Sequence, residues 1–91
     1  MAKSQTRVEP VFFRQKDLPF VDPSGNEIYP DLDICVAAER VCGRESIYGA
    51  RCIKGLWRIY PLTREARVQL LIEGIGVNGC TVSLMDENPL L

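Results

Sequence analysis

The chain contains no histidine and no apolar segment long enough to cross a bilayer. The missing histidines exclude Ser-His-Asp triads, histidine general bases and Cys/His zinc sites. Without a membrane span or a signal-peptide pattern after Met1, we expect no membrane partner. The formal net charge is −1, from 11 basic and 12 acidic side chains. This balance disfavours nucleic-acid binding through bulk positive charge, but it is compatible with a local basic face.

Motifs of catalysis are also missing. The sequence has no nucleophile elbow, no P-loop and no dinucleotide-binding glycine pattern. The glycine-rich segment 74–79 follows a predicted helix and precedes a predicted strand. This order is the reverse of a phosphate-binding loop, so we interpret the segment as a helix end and a turn. Asp31 and Asp33 are two positions apart at a predicted helix start and do not face each other. We therefore expect a non-catalytic domain without a metal or other cofactor.

No C-x-x-C spacing occurs among the four cysteines, which are Cys35, Cys42, Cys52 and Cys80. We expect four reduced thiols, because free cysteine behaves as a small buried hydrophobic residue. Cys35 and Cys80 should be the most buried, since each falls on an apolar stripe. A four-cysteine metal site and two disulfides are the alternatives. Reduced thiols predict an intracellular protein of the cytoplasm or nucleus.

The chain has 91 residues, of which 46% are hydrophobic, and this is enough for one domain with its own core. Residues 1–10 are polar and should form a flexible arm. Residues 11–91 should form the domain. The sequence stops after residues 88–91 without a helix stop or a polar tail, so we interpret it as a domain cut from a longer protein.

Hydrophobic periodicity and turn residues divide the domain into six elements. The predicted elements are, in order, a strand at 11–13, a helix at 31–42, strands at 47–53 and 56–60, a helix at 64–73 and a strand at 81–85. The turns between them are expected at residues 22–25, Lys54-Gly55 and Asn78-Gly79. The order β-α-β-β-α-β, with right-handed crossovers, predicts an α+β ferredoxin-like sandwich. Such a sandwich has a four-stranded antiparallel sheet with two helices on one face, and its other face is open.

Basic residues concentrate in the strand segments 11–16, 47–60 and 80–85, which contain no acid. They are Arg14, Lys16, Arg51, Lys54 and Arg58, whereas the acids lie in the arm, loops, helices and tail. Basic strands interleaved with aromatic residues suit single-stranded nucleic acid, because cations attract phosphates and rings stack on bases. The alternative is that exposed strand positions simply prefer long, solvated side chains.

Strand register decides which aromatic rings are available. Charged Arg14 should point to solvent, so Phe12 should point outward with it, and an exposed phenylalanine on a bare sheet calls for a partner. Burying Arg58 unpaired costs more than exposing an indole. We therefore expect Tyr60 on the open face and Trp57 in the core, while the opposite register would expose Trp57.

Two short motifs resemble those of the RNA-recognition-motif family. The first-strand hexapeptide of that family has an aromatic residue second and an apolar residue third, as in Val11-Phe12-Phe13. Its third-strand octapeptide begins with a basic residue and glycine, as in Lys54-Gly55, but here Leu56 and Arg58 occupy the two aromatic places. The Asn-Leu ending of the hexapeptide is also missing.

A longer stretch, from Ala38 to Leu90, is similar to another group of proteins. The similarity is carried by Gly49-Ala50-Arg51, residues 53–61, Thr63-Arg64-Glu65-Ala66-Arg67, Leu70-Leu71, Gly74-Ile75 and residues 86–89. The stretch resembles the amino-terminal domain of gag-like, zinc-knuckle proteins encoded by LINE-type retroelements or by genes domesticated from them. This resemblance implies the handling of RNA or single-stranded DNA.

The sequence thus predicts a binding module for single-stranded RNA or DNA that uses the open sheet face. The expected site residues are Phe12, Arg14, Lys16, Arg51, Lys54, Arg58 and Tyr60. The alternative is a protein-interaction or self-association module of the same fold, in which Phe12 and Leu56 anchor a protein partner or a second copy. A catalytic domain of the acylphosphatase kind would need a phosphate-cradling loop after the first strand, but residues 15–21 contain no glycine.

Overall fold

The computed structural model describes residues 8–18 and 30–89. Its elements are β1 (Val11–Arg14), α1 (Asp31–Cys42), β2 (Ile47–Ile53), β3 (Leu56–Pro61), α2 (Arg64–Glu73), β4 (Ile75–Val77) and β5 (Cys80–Val82), with one 3-10 turn at Gln15–Asp17. The predicted α+β class is confirmed. Most of the predicted arm, and the turn expected at residues 22–25, lie outside the described residues.

The main sheet has three antiparallel strands in the order β1-β3-β2. Strands β2 and β3 are joined by the predicted turn at Lys54-Gly55, whose φ angles are 52° and 80°. Positive φ at both central residues is the geometry that closes a two-residue hairpin without splaying the strands. Strand β2 lies at one edge of the sheet, and its pairing with β3 is interrupted by a bulge between Ile47 and Gly49.

Residues 75–85 pair differently from the prediction, which has a single last strand at 81–85 in the main sheet. Strand β5 pairs with β4 across the Asn78-Gly79 turn, and of the described residues that follow β5 only Met85 pairs with β1. Met85 and Phe12 exchange two backbone hydrogen bonds, of 2.9 and 2.7 Å. The Asn-Gly turn folds the chain back onto its nearest extended segment, and closing this short loop costs less entropy than a long pairing with β1.

The side chain of Arg67 fastens this last segment beside β1. Its Nε donates to the carbonyl of Glu9 and its Nη2 donates to the carbonyl of Asp86, both at 2.9 Å. Glu9 precedes β1 and Asp86 follows Met85. One arginine of α2 therefore holds both backbone segments at the outer edge of β1.

The core lies between the two helices and one face of the sheet. Trp57 is fully buried and stacks on Phe13, with ring centroids 5.9 Å apart and planes inclined by 7°. Val11 and Ile59 extend the same buried face. The predicted register, with Trp57 in the core, is confirmed.

Helix α1 has the predicted bounds, but it presents a different face to the sheet. Its buried residues are Ile34, Ala37 and Ala38, whereas the sequence spacing suggests a stripe that starts at Leu32 and Cys35. Leu32 is 70% exposed. Small alanines let the helix approach the sheet closely, so packing density favours this face over the one with larger side chains.

Helix α2 begins and ends at the predicted residues. The Thr63 side chain accepts a hydrogen bond of 3.1 Å from the Ala66 amide, which is an N-cap. Gly74 ends the helix with a φ of 72°. A Cβ atom on Gly74 would lie 2.5 Å from the Val82 carbonyl oxygen, so only glycine fits here without a shift of the backbone.

The four cysteines are free thiols, but their burial differs from the prediction for Cys80. Cys80 is exposed, because it directly follows the hairpin turn and lies beyond the core. Cys35 and Cys42 are half-buried. Burial raises the pKa of the Cys35 thiol, and the nearby carboxylates of Glu39 and Asp31 raise it further. Burial also raises the pKa of Cys42.

Candidate nucleic-acid interface

The face of the sheet that points away from the helices brings together most of the predicted site residues. Phe12 lies opposite Arg58 on β3, and Arg58 lies opposite Arg51 on β2, so the three form one row across the sheet. Tyr60 is two positions further along β3 and lies opposite Gly49. Arg14 lies two positions along β1 in the other direction. Alternation along each strand therefore directs all five predicted face residues to the same side.

Two further predicted residues, Lys16 and Lys54, lie at one end of this face. The Gln15 amide donates a 2.9 Å hydrogen bond to the Gly55 carbonyl, so the 3-10 turn after β1 sits beside the β2–β3 turn. Both lysines are exposed. Together with exposed Arg14 they make this end of the sheet positively charged.

Phe12 points to the predicted side of the sheet, but its ring is not exposed. Its relative exposure is only 7%, and the Arg58 guanidinium carbon lies 6.0 Å from the centre of the ring. Met85 is its cross-strand neighbour on the other side. The expectation that Phe12 offers a bare ring is wrong, because the ring is buried and the Arg58 guanidinium lies over it. Leu56, on the same face, is only 2% exposed.

Arg51 and Arg58 form a pair of like charges on adjacent strands. They are direct partners in the antiparallel ladder, and in this position like charges repel. Within the described ranges, neither side chain has an acidic partner or a hydrogen bond, and Nη1 of Arg58 is buried without a hydrogen-bond acceptor. A bound anion would relieve the repulsion, and it would also accept from Nη1 of Arg58 once that side chain turned outward.

Tyr48 belongs to this face, although regular alternation along β2 predicts the opposite side for it. Its side chain is 80% exposed. The bulge in β2 places both Tyr48 and Gly49 opposite Tyr60. Together with Arg51, these residues line a depression of about 560 Å³. The sequence does contain a signal for the bulge. Every second residue before Arg51 should point outward, which gives Gly49 and then Ile47. An apolar residue at an outward position indicates that the alternation is interrupted before Gly49.

Comparisons with known proteins give no further identification. No protein-family model matches the chain, and no curated protein or solved structure matches it. Among the described residues, no helix is long and apolar enough to cross a membrane. The same part of the chain contains no cluster of three or more metal-ligating side chains.

Proposed function

We propose that this domain is a non-catalytic module that binds single-stranded RNA or DNA through the sheet face opposite the helices. The observation that carries the proposal is the Arg51–Arg58 pair, which faces no acid in the described chain. Phosphates supply the missing negative charge, and the neighbouring tyrosines supply rings on which unpaired bases stack. Strands β1, β2 and β3 contain no acidic residue, so nothing on the strands themselves repels a polyanion.

The finer fold assignment is part of the same proposal. We infer an RNA-recognition-motif-like, ferredoxin-like sandwich in which the segment around Met85 takes the place of the fourth strand. The hydrogen-bonded pair of Met85 with Phe12, on the outer edge of β1, supports this order. The likeness of the sequence to gag-like retroelement proteins supports the same class of ligand.

Protein interaction is the second candidate function, but the structure changes where it would take place. Phe12 and Leu56, the expected anchors, are too buried to insert into a partner. Large exposed apolar residues lie instead on the helical side, at Leu32 on α1 and at Val68 and Ile72 on α2. Light scattering tests for self-association through this side.

Fluorescence anisotropy with a short labelled single strand, titrated at several salt concentrations, tests the nucleic-acid proposal. We expect Arg51→Gln to weaken binding and to reduce the slope of log K against log salt by about 0.7, the value for one lost phosphate contact on a single strand. Arg40→Gln is the matched control, since Arg40 is exposed on α1, on the helical side. The proposal fails if the labelled nucleic-acid strand does not bind at low salt. It also fails if Arg40→Gln lowers the affinity for that strand as much as Arg51→Gln does.

A further inference from the structure

The aromatic residues on the proposed binding face are unequally accessible. Phe12, on β1, lies between Arg58 and Met85 and is 7% exposed. Tyr48, on the edge strand β2, is 80% exposed, and Tyr60 is half-buried. The rings that a ligand can reach therefore lie at one corner of the sheet, on the β2 side, and not on β1.

The bulge in β2 creates this corner. In a regular strand Tyr48 would point to the side opposite Gly49, but the extra residue places both opposite Tyr60. Gly49 has no side chain, and a Cβ atom built on it would meet no atom within 4 Å beyond its two chain neighbours. The space over Gly49 is therefore open towards Tyr60, and Tyr48 and Arg51 line the same depression. We define the β2 corner as Tyr48, Gly49, Arg51 and Tyr60.

We propose that the β2 corner is the base-stacking site of this protein, where unpaired nucleobases of a single strand stack on Tyr48 and Tyr60 while Arg51 and Arg58 contact the adjacent phosphates. This inference rests on the proposed function and adds the position of the bases. Charge complementarity selects the ligand, because Arg51 and Arg58 lie on the same face as the rings and face no acid within the described ranges. Strands β1, β2 and β3 supply no acid, and the carboxylate of Glu9 lies in a separate depression on the other side of the two tyrosines. A proline-rich peptide also packs on tyrosines, but it does not neutralise the arginines.

In this arrangement Phe12 is a positioning residue. The Arg58 guanidinium lies over its ring, at 6.0 Å from the centre, and a cation held over an aromatic face keeps a defined orientation. Nη1 of Arg58 is buried and has no hydrogen-bond acceptor among the described residues, so a phosphate reaches this nitrogen only when the side chain turns outward. A phosphate oxygen is an acceptor of the right charge for this donor.

The experiment compares two labelled probes of equal length, an oligouridine strand and an abasic strand with the same phosphodiester backbone. The abasic strand keeps the charge and lacks the bases, so the ratio of the two affinities measures stacking. We expect the domain to bind oligouridine about 5- to 150-fold more tightly, which is the factor for about 1–3 kcal/mol of stacking on one base. Tyr48→Ala should remove most of this preference and leave abasic binding unchanged.

Gly49→Val is a second variant. It adds a side chain to the β2 corner, whereas Tyr48→Ala removes one. Valine suits a strand, and the open space around Gly49 means that its side chain meets no backbone. The variant should bind oligouridine no more tightly than it binds the abasic strand. Gly76→Val on β4 is the matched control, since a Cβ atom on Gly76 also meets nothing within 4 Å and the residue lies outside the corner. We expect Gly76→Val to bind like the unchanged domain.

The outcomes separate this inference from the proposed function. If oligouridine is preferred and both Tyr48→Ala and Gly49→Val keep the preference, bases stack elsewhere and the corner assignment is wrong. If the two probes bind equally well, the domain binds phosphates without stacking, and again only the corner assignment is wrong. If neither probe binds at low salt, the proposed function itself fails. If the domain binds a proline-rich peptide but neither nucleic-acid probe, and Tyr48→Ala abolishes peptide binding, the β2 corner is a peptide site.

Discussion

Replacing one arginine of the Arg51–Arg58 pair should stabilise the fold while it weakens binding. The two residues are directly opposed across β2 and β3, and no acid in the described chain neutralises either of them. Cross-strand pairs contribute about 0.2–1 kcal/mol, and like charges oppose folding by a similar amount. Arg51→Gln keeps a long polar side chain and removes the repulsion. We therefore expect its free energy of unfolding to rise by about 0.2–1 kcal/mol at low salt.

Urea unfolding followed by fluorescence of the buried Trp57 measures this change. With a slope of about 1–2 kcal/mol per molar urea, the midpoint should rise by a few tenths molar. The gain should shrink in about 1 M salt, where the screening length is about 3 Å. Arg14→Gln is the matched control, because Arg14 lies on the same face but opposite uncharged Leu56. It should not raise the midpoint.

Two results would refute this reasoning. If Arg51→Gln lowers the midpoint, the arginine stabilises the sheet by packing more than it destabilises it by repulsion. If Arg14→Gln raises the midpoint equally, the effect comes from the total charge of the face and not from the pair. If Arg51→Gln is more stable than the unchanged domain but binds single-stranded nucleic acid more weakly, the arginine pair serves binding at a cost in stability.

Four other predictions concern the framework of the site. Phe12→Ala should lower the free energy of unfolding by about 3–5 kcal/mol, measured by urea unfolding, because the ring is buried; a loss below about 1 kcal/mol would show that the ring is exposed. Thr63→Ala should cost about 1 kcal/mol through loss of the N-cap, whereas Thr63→Ser should restore most of it. Cys80 should react with a thiol reagent before Cys35, as followed by mass spectrometry, since Cys80 is exposed. The pKa of the Cys35 thiol is higher in the folded chain than its ordinary value of 9.0. The protonated thiol therefore makes its full contribution to stability below pH 9.0, and this contribution is lost as the pH rises above that value. Cys35→Ala should therefore reduce the alkaline loss of stability, and an unchanged loss would contradict the assignment.

Much of the framework follows from chemistry within a few residues. Helix α1 occupies Asp31–Cys42 as predicted, because Pro30 and two acids mark its start and Gly43 marks its end. The turns at Lys54-Gly55 and Asn78-Gly79 form because glycine and asparagine tolerate positive φ. The placement of Trp57 in the core also follows from its own strand, since Arg58 and Tyr60 are the residues that can remain partly hydrated.

The accessibility of the site residues depends on neighbours that are distant in sequence. The alternation of β1 correctly predicts the side to which Phe12 points. However, Arg58, which lies over the ring, and Met85, which pairs with the Phe12 backbone, come from segments more than 40 residues away. Tyr48 reaches the binding face through a bulge, and a bulge is defined only by the strand that pairs with it. The sequence by itself therefore determined the two helices, the three strands of the main sheet, the two hairpin turns and the side of the sheet that is basic, but not the strand at Ile75–Val77. Only the tertiary structure decided which rings on that side remain open, because exposure is a property of the residues packed around a side chain and not of the side chain alone.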